Sequence, residues 1–104
     1  SQTADLQKVM ENIFLDYKLN FSNDLTGIQG KIGSAAAAQP LNNSYGTYTL
    51  LYNDFIKFVG NSETAAVAGD PQNILKVTIR NNLGQTLSIL LTKWEIYEKC
   101  INEQ

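Results

Sequence analysis

Histidine is absent from the 104 residues, and cysteine occurs once, at Cys100. Without histidine the commonest general base and metal ligand is missing, and no Cys–His or Ser–His nucleophile can be assembled within one chain. A lone cysteine forms no internal disulfide and belongs to no zinc-spaced cluster. That pattern suits a reducing compartment, so cytoplasmic residence is the expectation, although a disulfide-free exported domain violates no rule. The neighbours of Cys100 are acidic (Glu95, Glu98 and Glu103). They disfavour a thiolate, and the residue reads as a small, partly buried side chain. No catalytic residue, metal ligand or cofactor motif stands out.

Charge is also scarce. Charged residues make up 17% of the chain, below the roughly 25% of ordinary domains. Eleven Asn and seven Gln take their place. The eight Lys and Arg are scattered singly and the net charge is −2. A surface that tracks phosphates is therefore disfavoured, and with it nucleic acid as a partner. No apolar run approaches the roughly 18 residues needed to cross a bilayer. The first residues lack a basic patch followed by an apolar core, so neither a signal peptide nor membrane association is expected.

Glycine is concentrated in TGIQGKIGSAAAAQ, residues 26–39. A P-loop would need a glycine five residues before Gly30 and a hydroxyl after Lys31; neither is present. Gly27, Gly30 and Gly33 are spaced three and three, which also fails the dinucleotide pattern. GIQG and GKIG match the bare outline of a single-strand-clamping G-x-x-G loop, but with one lysine nearby. Residues 24–44, rich in Gly, Ala and Asn, read instead as a flexible joint, with Ile28 and Ile32 dipping into the core.

What is present points to an α+β domain spanning residues 1–104. Leu6, Val9, Met10, Ile13, Phe14, Tyr17 and Phe21 recur at steps of three and four, predicting an amphipathic helix over 4–21. Residues 44–61 are ambiguous. Tyr48, Leu51, Tyr52, Phe55, Phe58 and Val59 form a helical stripe, yet the stretch is rich in Thr and Tyr, as strands are. The stripe and the Gly60/Asn61 cap favour helix, followed by a short helical turn over 62–69. A hairpin is expected at 74–80 and 86–91, with Ile79 opposite Leu87, Val77 opposite Ile89 and Leu75 opposite Leu91. That register leaves Asn82, Leu83 and Gly84 as its loop. TKWE, from Thr92, is a capping box that would open a C-terminal helix bearing Trp94, Tyr97 and Ile101.

Three function classes follow. Foremost is a non-catalytic interaction or assembly subunit, acting as a small homo-oligomer or docking on a larger protein. A dimer is the simplest form, because the chain holds more large apolar residues than three short helices and one hairpin can cover. Second is a nucleic-acid binder with the element order of winged-helix domains. Third is a module that binds a small ligand or sugar through its tyrosine-rich segment. The candidate partner surface is Tyr45, Tyr48, Tyr52, Trp94 and Tyr97; Lys76 and Arg80 are candidate weak anion contacts. Trp94 is expected either to cover the apolar row of the hairpin or, if exposed, to act as a recognition anchor.

Overall fold

The computed structural model describes residues 2–35 and 39–94. In chain order these form α1 (Gln2–Asn20), α2 (Leu25–Ile32), β1 (Leu41–Asn43), β2 (Gly46–Val59), β3 (Ser62–Ala65), β4 (Ile74–Arg80) and β5 (Thr86–Thr92). The strands make one antiparallel sheet in the order β1-β2-β4-β5, with β3 also pairing β2. The product is a small α+β structure dominated by its sheet.

The hairpin has the register that its alternation dictates. Ile79 faces Leu87, Val77 faces Ile89 and Leu75 faces Leu91. The Asn81 N–H donates to Gln85 O at 3.0 Å, closing the loop over Asn82, Leu83 and Gly84. Gly84 takes the left-handed conformation at φ 81° that a three-residue loop requires at this point. The α1 stripe also buries as its periodicity implies, through Leu6, Val9 and Ile13. Phe14 is the exception and is partly exposed.

The layout expected around these two elements is overturned in three places. The expected central helix is β2, a 14-residue strand. Its pairing with β4 slips between Leu50 and Tyr52, leaving Leu51 as a bulge. One inserted residue flips the inward parity. Tyr48 and Leu50 are buried before the bulge, and Phe55 after it. Tyr48 and Phe55 thus stand seven apart, the spacing of two helical turns, which is how a bulged strand imitates a helical stripe. The expected helical turn at 62–69 is likewise strand β3, folded back on β2 with Val59 opposite Ser62.

The expected joint holds α2. Asp24 caps it, its Oδ1 accepting the Gly27 N–H at 3.1 Å, and Leu25, Ile28 and Ile32 bury one face. Gly27 and Gly30 lower helix propensity, but three apolar anchors at helical spacing outweigh them. The third correction concerns the C-terminus. Thr92 is the last residue of β5, paired with Ile74, and the Glu95 of the expected capping box lies outside the described residues. No C-terminal helix is seen among the described residues, and residues 95–104, which include Tyr97, lie outside them. With strand where the central helix was expected, the winged-helix element order is not that of this chain.

Leu75, Val77 and Ile79 alternate onto one face of β4 and join one core cluster with Leu6, Val9, Ile13, Leu25, Ile28 and Ile32. Both helices therefore cover the same face of the sheet. Gly46, at φ 131°, lets the β1–β2 turn lie against α1, since a Cβ there would meet Val9 Cγ2 at 2.8 Å.

Candidate functional site

The ends of α1 and β5 meet at a corner of the molecule. The Tyr17 hydroxyl donates to the Thr92 carbonyl, and the Trp94 N–H donates to Ser22 O at 2.6 Å. These two bonds tie the chain leaving β5 to the end of α1. Between them opens a groove of about 470 Å³ lined by Phe14, Tyr17, Lys18, Ser22, Leu90, Thr92 and Trp94. Phe14 is 42% exposed, Trp94 43% and Leu90 44%. Three large apolar side chains from three places in the sequence thus converge on one opening, where isolated exposure would be unremarked. The Tyr17 and Phe14 rings lie 5.8 Å apart between centroids, tilted at 47°. Burial raises the Tyr17 phenol above its ordinary pKa.

The other candidates have different settings. Tyr45 and Tyr48 are buried. The Tyr45 hydroxyl donates to Asp16, and the Tyr48 hydroxyl donates to Ile32 O at 2.9 Å. Both line a larger, more polar cleft of about 820 Å³ beside Lys8, Asn12 and Arg80. Their rings are too enclosed to stack on a sugar, which weighs against the ligand-binding use of this segment. Tyr52 is half-buried under Lys76, whose Nζ sits 5.7 Å from the ring centroid. Lys76 also pairs with Glu63 at 2.6 Å, so its charge is already engaged. Arg80 ends β4 at the mouth of the polar cleft. Among the described candidate residues named from the sequence, Trp94 alone lines the apolar corner.

Lys31, the lysine of the glycine-rich stretch, pairs with Asp16 at 2.6 Å. It lies 5.3 Å from the Tyr45 ring centroid and 5.7 Å from that of Phe21. The hydrogen bond from Lys31, then that from Tyr45, draws the Asp16 carboxyl down to about 2. Burial, then the Asp16 anion, pushes Tyr45 up. The arrangement joins α1, α2 and the β1–β2 turn. Among the described residues no group of three or more His, Cys, Asp or Glu could hold a metal ion, and no helix is long and apolar enough to cross a membrane.

Phe14 and Leu90 were not singled out from the sequence as contact residues. Leu90 had a signal: in QTLSILL it occupies an outward position where Thr86 and Ser88 are polar. No protein-family model, curated protein or solved structure matches this chain.

Proposed function

We propose that the protein is a non-catalytic assembly subunit that associates with itself through the α1–β5 corner. The observation that carries this reading is the convergence of Phe14, Leu90 and Trp94, each more than two-fifths exposed, on one groove. Apolar groups gathered in this way lose unfavourable hydration when a partner covers them, and aromatic anchors dominate such contacts. The sequence supports the absence of catalysis, since it offers neither a histidine nor an activated nucleophile. The scattered basic residues give no phosphate-tracking surface that would favour nucleic acid.

The test is solution mass against concentration, by light scattering or sedimentation. The expected mass rises toward twice the chain mass of 11.5 kDa at high micromolar concentration. Trp94 is the single tryptophan, so its emission should shift to the blue over the same range. Trp94→Ala should weaken association while leaving a cooperatively folded chain. A mass that stays at the monomer value throughout overturns this reading.

A further inference from the structure

β5 is the last strand of the sheet, and among the described residues no strand pairs with its outer side. Its backbone directions follow from two bonds. The Lys93 N–H donates to Asn73 O at 3.1 Å, and the Asn81 N–H reaches Gln85 O, so residues 85 and 93 face β4. In an antiparallel strand the N–H and C=O of one residue point the same way and alternate along the chain. Residues 87, 89 and 91 therefore also face β4, while Thr86, Ser88, Leu90 and Thr92 direct both backbone groups outward. The Tyr17 bond to the Thr92 carbonyl fits this assignment, and the end of α1 occupies the edge there. The open stretch is thus residues 86–90, centred on Ser88.

Among the described residues, the open stretch 86–90 carries none of the sequence features that keep edge strands apart. TLSILLT contains no charge and no proline, and its pairing with β4 runs without a register shift. Native proteins ordinarily protect such edges with lysine, proline, bulges or very short strands. On the far side of β2, by contrast, β1 and β3 have three and four residues. An uncharged strand is also complementary to itself, because antiparallel pairing about a two-fold axis brings no like charges together.

We infer that β5 is the interface between two copies of this chain, paired antiparallel about a two-fold axis at Ser88 to make one continuous sheet. The inference rests on the self-assembly reading above and specifies its surface. In this register Thr86 of one copy faces Leu90 of the other, and Leu87 faces Ile89 of the other. Leu87 and Ile89 are half-buried in the single chain, and the pairing covers them further. Each copy's α1 is bonded to its own β5 at the Thr92 end, so the two helices sit at opposite ends of the shared edge. Pairing stops at Leu90, where the end of α1 covers the edge, and the hairpin tip of the second copy then lies against that end of the first. Leu83 crowns that tip and is 66% exposed, with no apolar cover of its own. It is the side chain that fills the groove of Phe14, Leu90 and Trp94 in the facing copy, and symmetry makes the contact twice.

Backbone amide exchange in the wild-type chain, read residue by residue across a dilution series, tests this directly. The Ser88 and Leu90 N–H groups point away from β4, so a single chain leaves them fast. Self-pairing predicts slow exchange at high concentration that is lost on dilution. Leu90→Lys places a charge on the shared edge at an outward, part-exposed position, and should raise the dimer Kd about tenfold or more while the urea midpoint of the diluted chain holds. Leu83→Ser, at a loop tip, should weaken the dimer by a smaller factor. If the chain dimerises but Ser88 and Leu90 exchange fast and Leu90→Lys changes nothing, the β5 interface is wrong while self-assembly stands. A chain that is monomeric at every concentration overturns both.

Discussion

Where β2 meets α2, polar side chains from the sheet close off the end of the helix; where β5 meets α1, apolar side chains and backbone groups are left facing out. On the first side, Asn53 donates to Gln29 O at 2.9 Å and Gly33 O at 2.8 Å, and Gln29 returns a bond to Asn53 O at 3.1 Å. Asn43 and Tyr48 both donate to Ile32 O. The last carbonyls of a helix normally need water or a cap. Here the sheet supplies the donors, so the end of the helix is satisfied from within and gives a partner little to replace. Asn53 Oδ1 is the one buried side-chain oxygen there without a bond. The β5 side has the opposite character. Tyr17 of α1 bonds the Thr92 carbonyl and Ser22 accepts from the Trp94 N–H, and among the described residues the edge over 86–90 is open. An amide-rich, low-charge composition therefore serves two ends: local bonding that rigidifies one side, and an uncharged edge on the other.

The largest effect that would break this contrast lies at Tyr48, which is 1% exposed and joins the core to the α2 carbonyls. Tyr48→Ala removes a buried ring and strands the Ile32 carbonyl with a single donor. A loss of about 3 to 5 kcal/mol is expected in urea unfolding, in line with large-to-small core changes. Tyr48→Phe should cost about 1 kcal/mol, the share of the hydroxyl. A loss for Tyr48→Ala no larger than that for Tyr48→Phe would mean that the ring is not held as described.

The Asp16–Tyr45–Lys31 contact gives the satisfied side a pH signature. The Asp16 carboxyl titrates near 2 when folded, against an ordinary 3.8. Above 3.8 it is ionised in both states and its stabilisation is fully present. As pH falls from about 4 toward 2 the unfolded chain takes up the proton first, and the stabilisation is lost. One pKa unit corresponds to about 1.4 kcal/mol, and exposure of the Lys31 end reduces the effect, so a fall of about 1 to 2 kcal/mol is expected. Tyr45 acts at the other limit. Its raised folded value leaves stability intact below the ordinary phenol range near 10 and erodes it as pH rises beyond. Asp16→Asn should flatten the acid limb. An unchanged limb in that variant would assign acid unfolding to other carboxylates.

The β4–β5 hairpin was legible because two independent signals agreed there, the period-two alternation and the glycine at the loop position. The α1 stripe was legible for a similar reason, although Phe14 lies off its buried face. β2 was not legible, because the bulge at Leu51 replaces a period of two with a spacing of seven between Tyr48 and Phe55. α2 was hidden by Gly27 and Gly30, whose low propensity masked the spacing of Leu25, Ile28 and Ile32. Of the corner, Trp94 was visible as the largest apolar group near the hairpin. Its meeting with Phe14, eighty positions away in the sequence, depends on how α1 crosses the sheet, and no local pattern records that. The Leu90 position was readable in retrospect as an apolar residue on a polar row.

The smallest effect belongs to Lys31, and it decides what the glycine-rich stretch is for. The Lys31 side chain is 44% exposed, and exposed ion pairs contribute between nothing and about 1 kcal/mol. Lys31→Ala should therefore lower stability at neutral pH by about 0.5 kcal/mol. Its clearer consequence is indirect. The hydrogen bond from Lys31 is the largest influence holding the Asp16 carboxyl down, so its loss should let Asp16 titrate closer to 3.8. The acid limb should then shrink, as in Asp16→Asn, and adding Lys31→Ala to Asp16→Asn should change that limb no further. A lysine kept for phosphate would behave differently. Its removal would leave the acid limb in place and lower the affinity for nucleotide or single-stranded RNA, measured by titration at low salt. Nucleotide or RNA binding that depends on Lys31 would turn α2 from a packed helix of the core into a ligand site. With Lys31 already paired to Asp16 and α2 sealed by Asn43, Tyr48 and Asn53, the expected titration shows no such binding.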